Sequence, residues 1–144
     1  MDFIIREIIK EDSNFLYDLY LSRNPEDVLN TIKKEEQDIF IFDYLSQHPS
    51  HPFQKWYIIE HDSKNIGALT LHKHNNELGY WIISDFQGKG IGHKAIEEFM
   101  RITGKEFFTI KAHKNNTRSQ HIAEKLGFQI SHYYYTYKKK LIFF

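Results

Sequence analysis

Three glycines at alternating positions form the segment of this sequence with the clearest chemical potential. They are Gly88, Gly90 and Gly92, which follow Gln87 and flank Lys89. Glycines allow successive backbone N–H groups to turn toward one point, and a helix that begins there adds the positive end of its dipole. With the Lys89 ammonium, this segment is suited to binding phosphate, and a glycine-rich turn without a ligand is the alternative. It matches neither the Walker loop nor the dinucleotide-binding G-x-G-x-x-G pattern.

Short strands are predicted before this segment and an amphipathic helix after it. Apolar runs at residues 56–60, 66–72 and 78–84, separated by turns, predict an antiparallel meander that leads into the glycines. Apolar residues at helical spacing over 95–102 then predict a helix that ends near Gly104. The glycine segment is therefore expected at a strand-to-helix turn.

The N-terminal part of the chain predicts a strand followed by helices. Residues 3–9 are apolar enough for a strand, and Asp12 or Ser13 can cap a helix after it. A second helix can begin at Pro25, whereas residues 39–45 fit either a strand or a helix.

The C-terminal part continues the alternation. Residues 107–112 predict a strand, residues 119–126 a short helix stopped by Gly127, and residues 128–144 mostly strand. This order of elements predicts one mixed α/β or α+β domain that covers residues 1–144.

Composition is that of an ordinary globular protein and excludes several classes of function. The length of 144 residues fits one domain, and 41% hydrophobic residues exclude a disordered chain. The sequence has no cysteine, which excludes disulfides and cysteine nucleophiles. Basic and acidic residues balance at 19 each, which argues against a globally basic nucleic-acid or membrane-surface protein. The first residues do not resemble a signal peptide and no stretch could span a bilayer, so we expect a cytoplasmic protein.

Two separated segments resemble the GNAT superfamily of N-acetyltransferases. The run from Gln87 to Gly92 is similar to that family's Q/R-x-x-G-x-G/A pyrophosphate loop. Asn116-x-x-Ser119, followed by EKLGF, is similar to its N-x-x-S…EKLGF segment. The chain most resembles the branch that includes ribosomal-protein N-terminal acetyltransferases, whose layout amino-sugar acetyltransferases share. The resemblance implies an α/β (mixed α+β) fold with a central, mostly antiparallel, twisted sheet of six to seven strands flanked by about four helices.

The resemblance further implies direct transfer of acetyl from acetyl-CoA to a primary amine, with no metal. The acceptor would be a peptide N-terminus, an amino sugar or a small metabolite. Ile82 and Ile83 would pair with the pantetheine arm like an added strand, and a backbone N–H near Ile82 would stabilise the oxyanion. Asn116 would hydrogen-bond the pantetheine from the other side. The residues whose N–H groups would hold the pyrophosphate are Gln87, Gly88, Lys89, Gly90, Ile91 and Gly92.

Two residues are candidates for proton transfer. Glu77, at the entrance to the strand before the loop, is the candidate general base, and a solvated turn residue is the alternative. A base matters more for an amine of pKa about 10.4 than for an α-amine of pKa about 7.7–8.0. Many GNAT members carry a tyrosine that protonates the leaving thiolate, but Ala123 stands at the matching position here. Ser119 is the candidate acid in its place, and a helix cap is the compatible alternative.

Other interpretations remain open. Ala123 also fits a catalytically silent fold that binds acyl-CoA as a sensor or scaffold. The tyrosines at 133–135 and lysines at 138–140 could bind nucleic acid, but a terminal strand is the expected state, so no nucleic-acid or membrane partner is predicted. His72 and His74 share a strand face without an evident third ligand, so no metal site is predicted. Exposed edge strands at the C-terminus would allow a homodimer.

The zero net charge is the sum of two unlike halves. Residues 1–60 hold 12 acidic and 6 basic residues, which gives −6, and residues 61–144 hold 7 and 13, which gives +6. Such asymmetry indicates two surfaces for two partners, with chance as the alternative. The resemblance assigns the anionic cosubstrate to the second half and the cationic amine to the first.

Overall fold

Strands and helices alternate along the protein. The structure, a computed structural model, describes residues 2–23, 32–112 and 117–128. The strands are β1 (Ile4–Glu7), β2 (Phe53–His61), β3 (Lys64–His72), β4 (Glu77–Ile82) and β5 (Thr109–Ile110). The helices are α1 (Ser13–Leu21), α2 (Lys34–Leu45), α3 (Ile91–Thr103) and α4 (Thr117–Lys125), with short 3-10 turns at Lys10–Asp12 and Ser84–Phe86. None of the helices described is both long and apolar enough to cross a membrane.

The five strands form one sheet in the order β1-β2-β3-β4-β5. The three pairings from β1 to β4 are antiparallel, and short turns connect β2 to β3 and β3 to β4. β5 pairs with β4 in parallel, because α3 returns the chain to the end of the sheet at which β4 begins. The mixed α/β fold is therefore confirmed. The described residues contain five strands in a mixed sheet and not six or seven, and nearly all of the predicted strand at 128–144 lies outside them.

The ambiguous segment at residues 39–45 is helical and forms the second half of α2. The helix start is fixed by the Lys33 N–H, which donates to the Glu36 carboxylate at 3.0 Å. Ile41 and Tyr44 then face the core at helical spacing. The helix predicted from Pro25 begins outside the described residues.

β5 is shorter than predicted. The alternation over residues 107–112 predicts a six-residue strand, but only Thr109 and Ile110 pair with β4. β4 meets β5 only at its first two residues, so the rest of that edge of β4 has no strand partner among the described residues.

The sheet has an apolar layer on each face. α3 and α4 cover one face, where Phe99, Ile96 and Leu78 belong to the buried cluster. α1 and α2 cover the other, where Leu16 and Ile41 pack on the sheet. Side chains alternate along β4, so its residues contribute to both faces, and β4 is the strand along which a site between the two layers is built.

Candidate active site

β4 and β5 are joined at one end and separate at the other. They pair at Glu77 with Thr109 and at Leu78 with Ile110, and no further pairing between them follows in the part of the chain that the structure describes. The Ile83 N–H donates to the carbonyl of Ile66 on β3 at 2.9 Å. Hydrogen-bonding direction alternates along an antiparallel strand, so the backbone groups of the preceding residue point away from β3, into the gap. The backbone N–H and carbonyl of Ile82 therefore both point into the gap.

This geometry separates the two residues expected to pair with pantetheine. Ile82 faces the gap with its backbone, and its carbonyl accepts a hydrogen bond from Gln87 Nε2 at 2.7 Å. Ile83 has its N–H committed to β3 and packs its side chain against both apolar clusters. Ile82 is thus the better placed of the two for a ligand in the gap.

The glycine segment forms the open end of this gap. Gly88 and Gly90 have φ of 76° and 81°, and a Cβ on either would meet no atom within 4 Å, so the loop surface is open. α3 begins directly after Gly90, and the first N–H groups of a helix have no acceptor within it. Gly92 has another role, because a Cβ there would lie 3.2 Å from Ile82 and 3.4 Å from Ile122. It allows α3 to pack closely on β4 and α4.

Cationic side chains surround the loop. The Lys89 and Lys64 ammonium groups lie 5.3 Å and 5.8 Å from the centroid of the Phe86 ring, within cation–π range. The Arg118 guanidinium donates to the Gln87 side-chain oxygen, which links the start of α4 to the loop. Open N–H groups, a helix N-terminus and cations form a cradle that fits a diphosphate.

Ser119 on α4 meets the middle of β4. Its hydroxyl lies 2.5 Å from the Tyr80 hydroxyl, which also lies 3.1 Å from the Ser119 carbonyl oxygen. Burial raises the pKa of Tyr80, while the hydrogen bond to Ser119 opposes that rise. The phenol is therefore protonated at neutral pH. The pattern of Leu78, Tyr80 and Ile82 indicates the face of Tyr80, but its contact with Ser119 depends on how α4 docks.

Glu77 lies at the closed end of the gap. Its carboxylate is 3.1 Å from the Lys111 ammonium. It shares a strand face with Trp81, so it belongs to the α1–α2 side, opposite Tyr80. Its backbone lies five residues from Ile82, about 17 Å at roughly 3.4 Å per residue. The structure thus puts Glu77 and Ser119 on opposite faces and does not bring them together.

Two further predictions concern this region. Asn116 lies outside the described residues. His72 is at the end of β3, where burial lowers the pKa of its imidazole while nearby Glu77 opposes that shift. The described residues contain no group of three or more side chains arranged to hold a metal ion.

A family model for the acetyltransferase (GNAT) domain matches residues 2–129. The chain belongs to the GNAT acetyltransferase family. GNAT enzymes use acetyl-CoA as cosubstrate, and the cradle at the glycine loop fits its diphosphate. A search of curated proteins finds no match.

Solved structures share this GNAT fold at low sequence identity. A ribosomal-protein α-N-acetyltransferase, RimL, in complex with coenzyme A has a TM-score of 0.75 at 20% identity, over 90% of this chain and 81% of that one. A putative acetyltransferase, yncA, from Salmonella typhimurium with acetyl-CoA has a TM-score of 0.71 at 16% identity, over 91% and 82%. A mutant spermidine N-acetyltransferase from Vibrio cholerae has a TM-score of 0.71 at 18% identity, over 90% and 80%.

Proposed function

We propose that this GNAT protein transfers the acetyl group of acetyl-CoA directly to a primary amine on a peptide N-terminus, an amino sugar or a small metabolite. The observation that carries the proposal is the gap between β4 and β5, with the glycine loop and the start of α3 at its open end. A long ligand with a diphosphate at one end and a thioester at the other matches that shape.

The chain would hold the cosubstrate mainly through its backbone. The N–H groups of the loop would bind the diphosphate, with Lys89 nearby. Ile82 would bind the pantetheine arm through its gap-facing backbone, while Ile83 would support that strand through packing. Asn116 remains the proposed partner on the far side. The Gln87 side chain already donates to the Ile82 carbonyl, so a ligand would either share that carbonyl with Gln87 or displace it.

The chemistry needs one proton removed and one supplied. The amine nitrogen attacks the thioester carbonyl, a C–N bond forms, the C–S bond breaks, and the sulfur leaves as a thiolate. The Ile82 N–H would stabilise the negative oxygen that forms in between. Glu77 remains the proposed base, and the amine proton would reach it through a chain of waters along the gap, because its backbone lies about 17 Å from Ile82. Ser119 would relay a proton from water to the thiolate, so that its own hydroxyl is restored, and Tyr80 would orient that hydroxyl.

An amine-panel assay that detects the released thiol tests this function. The panel contains peptides with free N-termini, amino sugars and small amines. Thiol release with any of them, and acetyl-CoA binding in a titration calorimeter, is the expected result. Absence of acetyl-CoA binding at millimolar concentration would refute the cosubstrate assignment. Binding without thiol release over the whole panel would instead favour a silent acyl-CoA sensor, which the alanine at position 123 also fits.

The setting of the reaction is part of the same proposal. We infer one domain over residues 1–144 that works in the cytoplasm without a nucleic-acid or membrane partner, with a homodimer as its assembly. Gel filtration with light scattering tests the assembly, since a mass of one chain at micromolar concentration would exclude the homodimer.

A further inference from the structure

A small cavity lies on the face of the sheet that α1 and α2 cover. Its volume is about 220 Å³, below the roughly 300–1,000 Å³ of sites for drug-sized ligands. Five aromatic side chains and several aliphatic ones line it. The aromatic ones are Tyr20, Phe40, Phe53, Trp56 and Trp81. A cavity of this size and lining fits one compact apolar group.

A residue that lines this cavity has a buried hydroxyl. Thr70 on β3 lines the cavity and is 1% exposed, and its Oγ1 has no hydrogen-bond partner among the described residues. Burial of an unpartnered hydroxyl is unfavourable, because the group has lost its bond to water. Such a group is therefore a candidate for a ligand contact.

The position of the Thr70 hydroxyl requires a glycine as its cross-strand partner. Thr70 pairs with Gly79 on β4. A Cβ at position 79 would lie 2.4 Å from Thr70 Oγ1 and 2.7 Å from Trp81 Cη2. Any side chain there would thus collide with both groups, so glycine at position 79 lets the Thr70 hydroxyl and the Trp81 indole pack closely over β4.

The charge of the lining excludes some acceptors. Arg23 is the charged residue of the described lining, and its guanidinium lies 4.7 Å from the centre of the Trp81 ring. The lining formed by the described residues contains no carboxylate. A polyamine would therefore bring a second ammonium toward a guanidinium, and an amino sugar would bring several hydroxyls to a mostly apolar wall.

The cavity is next to the proposed reaction site. Trp81 forms part of its wall, and the following residue, Ile82, turns its backbone into the gap where the thioester would lie. A group held against Trp81 can thus carry an amine on a short chain to the edge of β4.

We propose that this cavity selects the acceptor, which is a primary amine on a short chain with one aromatic ring whose polar substituent hydrogen-bonds Thr70. This rests on the proposed function, because it names the acceptor of the same reaction. A flat ring fits among five aromatic side chains, which favour edge-to-face contacts such as that of Phe53 with Trp56 at 5.0 Å and 88°. Small phenolic amines and peptides with an N-terminal tyrosine share this chemistry.

Tryptophan fluorescence tests the proposal without acetyl-CoA. The chain has two tryptophans, and both line the cavity. The full chain is titrated with tyramine, 2-phenylethylamine, spermidine and glucosamine, with excitation selective for tryptophan, and a Tyr-Gly-Gly peptide distinguishes the peptide source from the small amine. We expect saturable changes with tyramine or the peptide, weaker binding of 2-phenylethylamine, and none with spermidine or glucosamine at the same concentrations. Because no acetyl transfer is needed, failure here is distinct from failure of the enzymatic assignment.

Substitution of the hydroxyl provides the second test. Thr70→Val keeps the shape and removes the oxygen, so we expect an unchanged or higher melting temperature and weaker tyramine binding by about three- to tenfold, the effect of one hydrogen bond. Binding of 2-phenylethylamine, which has no ring hydroxyl, should not change. Thr103→Val at the end of α3, whose hydroxyl donates to Met100, is the matched control and should leave both amines unaffected.

Three results would overturn the proposal. The first is tighter binding of spermidine or glucosamine than of tyramine, and the second is no fluorescence change with any aromatic amine. The third is an equal effect of Thr70→Val on tyramine and 2-phenylethylamine, since the hydroxyl would then not contact the ring substituent.

Discussion

The contact between Tyr80 and Ser119 gives the sharpest test of how the leaving thiolate receives its proton. Tyr80→Phe removes one oxygen and keeps the ring in the layer between β4 and α3. The lost contacts are those to the Ser119 hydroxyl at 2.5 Å and to its carbonyl at 3.1 Å. Tyr80 has a single proton, so the change removes about one neutral hydrogen bond. We expect the free energy of unfolding to fall by about 0.5–1.5 kcal/mol.

The effect on turnover should exceed the effect on folding. A positioned proton donor contributes roughly 10²–10⁴-fold to rate. Because Tyr80 acts through Ser119, we expect the smaller of these effects, a fall in kcat of about 10²-fold, with KM for acetyl-CoA unchanged. Ser119→Ala should have a similar effect. The double variant should lose little more than either single variant, because both changes disable one proton path.

Steady-state kinetics with thiol detection, alongside urea unfolding, measures both effects. Tyr57→Phe is the matched control, because Tyr57 packs against Phe99 on the same face of the sheet, with ring centroids 5.3 Å apart. It should keep the kcat of the parent protein. A kcat for Tyr80→Phe within twofold of the parent, or a loss equal to that of Tyr57→Phe, would refute the role of Tyr80.

Three further changes probe other parts of the molecule. Glu77→Gln should lower kcat/KM at neutral pH less for an α-amine of pKa about 7.7–8.0 than for an amine of pKa about 10.4, and equal losses would argue against a base at this position. Gly90→Ala should lose about 1–2 kcal/mol of stability through its left-handed backbone and also raise KM for acetyl-CoA, whereas Gly104→Ala, with a similar φ and open surroundings, should affect stability alone. Burial lowers the pKa of His51, so the unfolded chain binds a proton near pH 6.5 that the folded protein does not, and stability should fall as pH drops below about 6.5. Urea midpoints at about pH 7.5 and 5.5 measure this loss of stability, which should be smaller in His51→Gln. The loss that remains in this variant is assigned to His72, whose pKa is also lowered by burial. If the loss between the two pH values is the same in His51→Gln as in the parent protein, His51 is excluded as its cause.

The sequence predicted the glycine loop and α3 because their determinants are local. Gly90 and Gly104 adopt left-handed conformations at the two ends of α3, and both positions can be read from residue type. α2 was ambiguous for a physical reason. Its buried face includes Gln37, while the apolar side chain of Phe42 is 67% exposed. Hydrophobic spacing therefore did not mark the buried face of this helix.

The features that shape the candidate site depend on contacts distant in sequence. β5 was predicted too long, because alternation over residues 107–112 does not reveal where the strand leaves β4. The hydrogen bond of Tyr80 depends on the docking of α4, which starts 37 residues later at Thr117. The close packing of the Thr70 hydroxyl against β4 depends on the register that sets Gly79 opposite it. None of these can be read from a single segment.

The charge difference between the two halves of the sequence acts over longer distances than the contacts inside the cavity. Glu35, Glu36 and Asp38 are exposed on α2 and belong to the acidic half, whereas the cavity beneath that helix has no carboxylate in its described lining. Exposed charges act through solvent and are screened within about 8–10 Å at physiological salt, so they attract any cationic amine to this face without choosing among them. Spermidine carries more positive charge than tyramine, and this acidic surface favours it. A preference for tyramine in the fluorescence titration would therefore oppose the long-range field and could be assigned to the aromatic walls and Thr70.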